Sequence, residues 1–213
     1  MIRRIVLAAA FCLAWAPAPA GAAQISATFY PGVAIPVGDF ADDSLGNAQT
    51  GFQLGVALDA KLAERLSAGI EVSWTANNTG LEGETIDQGG GFYVRADQDQ
   101  YETKHLGARA RYFLMTGNFR PFALGGIGLY DMSHHFEYAL GGPVPTQEVK
   151  QSGSNDLGSN FGWKAGLGFE GVVSPSVLLG LDAEYNSVPV DEGVPGTSTA
   201  SFWTIRASIG HEF

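Results

Sequence analysis

The chain has 213 residues, with 12 basic side chains against 22 acidic ones and a formal charge of −10. That excess of acid argues against nucleic acid as a partner, because such affinity comes from basic side chains that neutralise phosphates. Only 16% of the residues are charged, which is low for the exterior of a soluble domain.

Arg3 and Arg4 precede an apolar run, Ile5 to Ala16, and small residues follow at Ala18-Pro19-Ala20 and Ala20-Gly21-Ala22. This is the pattern of a secretory signal peptide, too short for a spanning helix. Residues 1–23 are therefore expected to be removed, leaving one domain over 24–213. Cys12, the one cysteine, falls in the signal, so the mature chain is expected to lack disulfides, thiolate metal sites and a cysteine nucleophile. No later stretch approaches the ~20 continuous apolar residues of a membrane helix. An exported chain without a helical anchor can still cross lipid as a closed barrel, which satisfies its own backbone.

Period-two alternation predicts eight strands. The first is Ala27–Gly38, interrupted by Pro31 and Pro36. Phe52–Leu62 carries Leu54, Val56, Leu58, Ala60 and Leu62 on one face. Leu66–Ala76 carries Leu66, Ala68, Ile70, Val72 and Trp74. Thr103–Leu114 carries Leu106, Ala108, Ala110, Tyr112 and Leu114. The fifth strand, Arg120–Glu137, is ambiguous: Phe122 and Leu124 lie on one parity, Ile127 and Leu129 on the other. A bulge at Gly125-Gly126 would reconcile them. Asn160–Val172 and Val177–Asn186 follow. In the last strand Trp203, Ile205, Ala207, Ile209, His211 and Phe213 share a face. Short connections at Ala63–Arg65, Thr116–Phe119 and Ser174–Ser176 alternate with long ones at Asp39–Gly51, Asn77–Glu102, Tyr138–Ser159 and Ser187–Ser201. That rhythm predicts an all-β, eight-stranded antiparallel up-and-down transmembrane β-barrel with short periplasmic turns and long extracellular loops.

A soluble lipocalin-like carrier has the same period with its polarity reversed. Three features favour lipid outside. Charge is sparse. Aromatics fall near strand ends, at Trp74, Tyr112, Phe119, Phe161, Trp163, Tyr185, Trp203 and Phe213. Glycines on the opposite parity suit a cramped interior.

The polar parity then holds interior charges: Asp59, Lys61, Glu71, Arg109, Arg111, Lys164, Glu170, Asp182, Glu184, Arg206 and Glu212. Near balance of sign is what burial requires. Heights counted from the short turns predict three lumen ion pairs: Glu71 with Arg111, Lys164 with Glu184, and Asp182 with Arg206. Eight strands leave room only for side chains, so a plug is expected rather than a pore.

Pro36-Val37-Gly38-Asp39-Phe40, Gly51-Phe52-Gln53-Leu54-Gly55 and Leu62-Ala63-Glu64-Arg65-Leu66 resemble the opening of the OmpA-like, OmpW- and opacity-type small outer-membrane β-barrel superfamily. Arg120-Pro121-Phe122-Ala123-Leu124-Gly125-Gly126-Ile127-Gly128 and Phe161-Gly162-Trp163-Lys164-Ala165-Gly166-Leu167-Gly168 resemble its middle and sixth strands. The resemblance implies a Gram-negative outer-membrane location, lipid and lipopolysaccharide as surroundings, and recognition by the barrel-assembly machinery through the strand ending at Phe213. It spans structural proteins, adhesins and minor transporters. No peptidoglycan-binding domain is expected after the eighth strand, and the barrel is expected to be a monomer.

Some barrels resembling this one are lipid A deacylases with Ser, His and an acid on the lipid-facing wall. Ser133, His135 and Glu137 share a parity here, although the order of His and Ser is reversed relative to that pattern. The bland reading is a polar strand end in water. His134 and His135 point to opposite faces, Asp97-Gln98-Asp99 is too short for a calcium loop, and Gly89-Gly90-Gly91 opens no phosphate motif. No catalytic, metal or cofactor site is therefore expected. The reading is a barrel with a filled lumen and a structural or surface-interaction role; a narrow solute channel, a lipid A-modifying hydrolase and a soluble lipocalin-like carrier are the alternatives.

Overall fold

The computed structural model describes residues 24–42, 44–81, 83–142, 148–190 and 198–213; the expected signal segment lies outside them. The chain forms β1 (Ile25–Val37), β2 (Gly51–Ala63), β3 (Leu66–Asn78), β4 (Thr85–Gly89), β5 (Phe92–Phe113), β6 (Phe119–Gly141), β7 (Val149–Ser174), β8 (Val177–Pro189) and β9 (Thr199–Glu212). Sheet order runs β3-β2-β1-β9-β8-β7-β6-β5-β4, and β3 also pairs with β5. That last ladder, Leu66↔Tyr112 to Asn78↔Gln100, closes a ring in which every strand but β4 has at least two antiparallel neighbours. The ring joins first strand to last through Ser26↔Glu212 to Val37↔Ser201. The terminal Phe213 N–H donates to the Ile25 carbonyl at 2.8 Å.

Eight strands cross, as the alternation predicts. β4 is an addition: it forms a hairpin with β5 inside what reads as a long loop. β5, β6 and β7 are 22, 23 and 26 residues long, while the other crossing strands have 13 or 14. Much of Asn77–Glu102 and of the described part of Tyr138–Ser159 is therefore strand rather than loop. The reason is local: residues such as Tyr93, Val94, Tyr101, Phe136 and Tyr138 are β-formers, and their alternation is masked by polar residues on both faces.

β1 is more regular than its prolines imply. Pro31 has no N–H to give, and the ladder to β9 lapses between Phe29↔Ile209 and Gly32↔Arg206 without losing register. The β2 side continues unbroken through Pro31↔Leu54. In β6 no bulge occurs at Gly125-Gly126. Ile127 and Leu129 face out, 60% and 43% exposed, while Phe122 and Leu124 face the lumen with Phe113. The register shift lies higher, beside Met132 and Ser133, where β7 carries the extra residue Leu157.

Outward positions form one apolar band, including Val56, Leu129, Leu167, Leu181 and Ile209. Aromatic pairs edge it. Phe52 and Trp74 lie 4.9 Å apart between ring centres, Trp163 and Tyr185 5.6 Å, and Tyr185 and Trp203 5.4 Å; at the short-turn rim Phe119 meets Phe169 at 5.5 Å. Such girdles mark the two interfaces of a membrane barrel.

Inward glycines receive lumen aromatics. A Cβ on Gly55 would lie 2.2 Å from the Tyr30 ring, which is 1% exposed. Gly55→Ala is expected to cost ~1–3 kcal/mol by overpacking, and less in a Tyr30→Ala background. Urea unfolding in micelles, followed by the mobility of unboiled samples, measures both.

Candidate functional site

The lumen holds the densest chemistry in the molecule. Asp59, Glu71, Arg109, Arg111, Lys164, Glu170, Asp182, Glu184 and Arg206 are all buried. They form one continuous line of alternating sign. From the short-turn rim, Glu212 meets Arg120 at 3.1 Å, Arg120 meets Glu170 at 2.9 Å, and Glu170 meets Arg111 at 2.7 Å. Arg111 reaches Asp59 at 3.1 Å, and Arg109 grips the same carboxylate through Nε and Nη2 at 3.0 and 2.5 Å. Arg109 contacts Glu71 at 3.4 Å, and Glu71 accepts from Lys164. Lys164 lies 3.3 Å from Glu184, which also meets Arg206 at 2.7 Å, and Arg206 ends the line on Asp182 at 2.7 Å.

Of the three expected pairs, the structure brings together Lys164 with Glu184 and Asp182 with Arg206; the second are direct cross-strand partners. Glu71 and Arg111 do not meet. Leu66↔Tyr112 sets the β3–β5 register, so Arg111 lies opposite Ser67, and Glu71 lies opposite Gly107. Heights counted from turns fail here because β3 and β5 are joined by a long connection rather than a tight turn. Arg109 takes the place beside Glu71. Lys61 also leaves the predicted interior set: it is exposed at the rim and donates to Gln24 at 3.3 Å. Arg120, unassigned by parity, supplies the outermost cation of the line.

Sequence reasoning missed the aromatic caps on this line. The Arg206 guanidinium carbon lies 4.3 Å from the centre of the Tyr30 ring, a cation–π distance. His105 stacks on Tyr130 at 4.2 Å, and its Nδ1 is 3.1 Å from Glu71. Above them an apolar layer closes the outer end. Phe40, in the 3-10 turn Gly38–Phe40, packs with Tyr101, Met132, Leu157, Val188 and Phe202. The one signal for Phe40 was its place after Gly38, whose φ of 61° turns the chain inward. Toward the short-turn rim a 310 Å³ vestibule, lined in part by Lys61, Ser67, Arg111, Arg120 and Glu212, stops at Arg111 and Phe113.

Ser133 and His135 do approach, with Oγ 3.1 Å from Nε2. The carboxylate nearest the ring is Glu102, and it faces the same Nε2 at 3.7 Å, leaving Nδ1 without an acid to orient it among the described contacts. Glu137 turns away to Lys150 at 2.9 Å. A nucleophile–base–acid relay needs the acid on the other ring nitrogen, so these three residues are not assembled for one. His134 faces inward instead, bonded to Asp99, which also accepts from Tyr138 at 2.8 Å.

Above the apolar band, β4 and the outer parts of β5, β6 and β7 form a sheet laced by surface ion pairs. Asp97 accepts from Arg95 at 2.6 Å and from Lys150 at 2.8 Å, and these two bonds lower its pKa from 3.8 to about 2. A depressed carboxylate adds stability above its unfolded pKa and loses it as pH falls through the folded value. The Asp97 carboxyl resonance should thus titrate near pH 2, and near the ordinary range in an Arg95→Ala/Lys150→Ala double variant.

A ring of eight strands with an apolar exterior, aromatic girdles and a charged, filled interior defines a transmembrane β-barrel of the outer membrane. The chain belongs to the outer membrane protein beta-barrel domain family, whose model matches residues 6–213. Neisserial surface protein A is similar in fold, with TM-score 0.54 and 14% identity over 89% of this chain and 97% of that one. Ail, the attachment invasion locus protein of Yersinia pestis, gives 0.44 and 13% over 90% and 99%. The outer membrane protease OmpT of Escherichia coli gives 0.40 and 9% over 89% and 97%. No curated protein sequence matches the chain. The protein resides in the outer membrane of a Gram-negative cell.

The charge line should behave as one unit. Arg206→Met leaves Asp182 and Glu184 buried without it and is expected to cost ~3–5 kcal/mol. In the Arg206→Met/Asp182→Asn pair the loss should be smaller than the sum of the single losses, as read by urea midpoints of the folded form.

Proposed function

We propose that this barrel is a surface-interaction protein, in which the filled lumen is a stabilising plug and the protruding sheet is the working part. The observation that carries this reading is the sheet's two open edges. Among the described residues β4 pairs with β5 alone, and all five of its residues are exposed. β7 above Trp163 pairs with β6 alone, which leaves Val149–Asp156 without a strand on its other side among the described residues. Unpaired edge groups accept an extended segment of another chain by strand addition. This edge is polar, with Lys150, Gln151, Ser152, Ser154 and Asn155, so side-chain pockets add little and the backbone carries the contact.

The unit exported is residues 24–213, after removal of 1–23. Its insertion proceeds by recognition of the closing strand at Phe213, and it works as a monomer within lipid and lipopolysaccharide. The plug supports this over a solute channel, and the geometry at Ser133, His135 and Glu137 supports it over a lipid A hydrolase.

Extended ten-residue peptides displayed on phage and selected on the folded protein in nanodiscs test the reading. Replacing 81–98 and 134–158 by short turns, which takes away both edges, should remove their binding and preserve the heat-dependent gel shift. Peptides that bind the shortened barrel equally well contradict it.

A further inference from the structure

We propose that the open edge of β7 pairs with the same edge of a second copy of this chain in a facing membrane. This rests on strand addition as the barrel's mode of contact and names the partner. Lys150–Asp156, unpaired on that side among the described residues, reads Lys-Gln-Ser-Gly-Ser-Asn-Asp, a chemical palindrome about Gly153. Laid antiparallel on itself with Gly153 opposite Gly153, the edge sets Lys150 against Asp156, Gln151 against Asn155 and Ser152 against Ser154. A twofold contact must be self-complementary in this way. Opposite charges placed directly across a ladder strengthen it, and like charges weaken it. The neighbouring symmetric registers lack the match. Centred on Ser152, Asp156 faces Glu148; centred on Ser154, Lys150 faces Gly158 and Asp156 faces Ser152.

The surroundings suit the pairing. Every residue of the segment but Gly153 is exposed, and the regular edge ends where β7 bulges at Leu157. A lysine on an open edge ordinarily deters pairing; here its counter-charge stands at the mirror position. Lys150 donates to Asp97 at 2.8 Å and to Glu137 at 2.9 Å, and an ammonium has a third N–H to give. Asp156 accepts from the Gly158 N–H at 2.9 Å through Oδ1, which leaves Oδ2 for the partner's lysine. At the centre, Phe136 lies opposite Gly153, and its ring fills the space that a Cβ there would take, 2.4 Å from that position. Across a strand spacing of ~4.8 Å, the two rings over the two glycines come into aromatic contact. The backbone holds the pair, and the side chains select which strand is held.

Direction decides where the second copy sits. β7 runs from the outer tip toward the short turn at Ser174. Two barrels in one membrane run this strand the same way, so they cannot pair it antiparallel and stay separate within lipid. Barrels in facing membranes run it in opposite senses. Gly153 stands roughly 20 Å along the strand beyond Ser159, where the outward face has turned polar. Facing apolar bands thus come within about 40 Å of each other, twice that height. Long lipopolysaccharide chains oppose such an approach and short ones permit it. One short ladder binds weakly, but many copies on two membranes engage together.

Disulfide trapping in phosphatidylcholine nanodiscs, one barrel to a disc, tests the register. Residues 24–213 contain no cysteine, so Ser152→Cys and Ser154→Cys variants each carry one thiol. Under mild oxidation a mixture of the two should give at least about fivefold more linked dimer than either alone. Ser152 faces Ser154 across the axis, whereas each stands diagonal to its own mate, at ~7–8 Å, too far for a disulfide. Asp156→Lys added to both should reduce the mixture to the level of the single variants. Asp156→Lys in one and Lys150→Asp in the other should restore the dimer, with the heat-dependent gel shift intact throughout. Equal linkage in the mixture and the single variants, or linkage unmoved by Asp156→Lys, would overturn the proposal. If linkage fails while selected peptides still bind the edge, strand addition stands and the second copy is not the partner. If both fail, strand addition itself is lost.

Discussion

Within the apolar band every backbone N–H and C=O must find its partner inside the protein, because lipid offers none. Two ladders meet that demand where an open sheet would fail: β1 against β9, and β3 against β5. Closure then dictates the rest. Eight strands set a lumen only as wide as side chains. Inward positions must be glycine where an aromatic fills the space, as at Gly55 under Tyr30, or polar where charges can answer one another. The alternating line from Glu212 to Asp182 is the consequence. Each charge in its interior has an opposite neighbour on both sides, which offsets the desolvation that burial imposes.

Much of this is written in the chain. Strict alternation in strands such as Leu66–Asn78 and the short turns at Ala63 and Pro175 reveal the number of strands, the two faces and the lipid-exposed side. Where a tight turn or the shared end of the barrel sets the register, charge partners can also be read, as with Asp182 and Arg206. The legibility stops at long connections. Nothing local states that Leu66 faces Tyr112, so Arg109 rather than Arg111 beside Glu71 is a tertiary outcome. Lys61 and Arg120 exchange roles for a similar reason: both lie near rims, where parity alone does not separate lumen from water. Phe40 closes the lumen from a turn, outside any periodic segment.

The long strands β5, β6 and β7 serve two solvents. Below about Lys104, Asp131 and Ser159 their outward side chains are apolar and meet lipid; above, they are charged and paired across the sheet, as Asp97 is with Arg95 and Lys150. Rigid pairing beyond the membrane keeps the edges of β4 and β7 in extended form, which lowers the ordering cost for a partner strand. On the proposed reading, stability and presentation reside in different parts of the molecule, and a change in one can be made without loss of the other.

Whether the lumen is a plug is the claim on which this account rests, and the most direct test is electrical. Protein folded into a planar bilayer should give no discrete current steps under applied voltage, because Arg206, Glu184, Lys164 and Glu71 fill the cross-section and Phe40 with its neighbours closes the outer end. Stable unitary steps from heat-modifiable protein, altered in size by Lys164→Gln or Arg111→Gln, would show that ions pass along the charges and would contradict it.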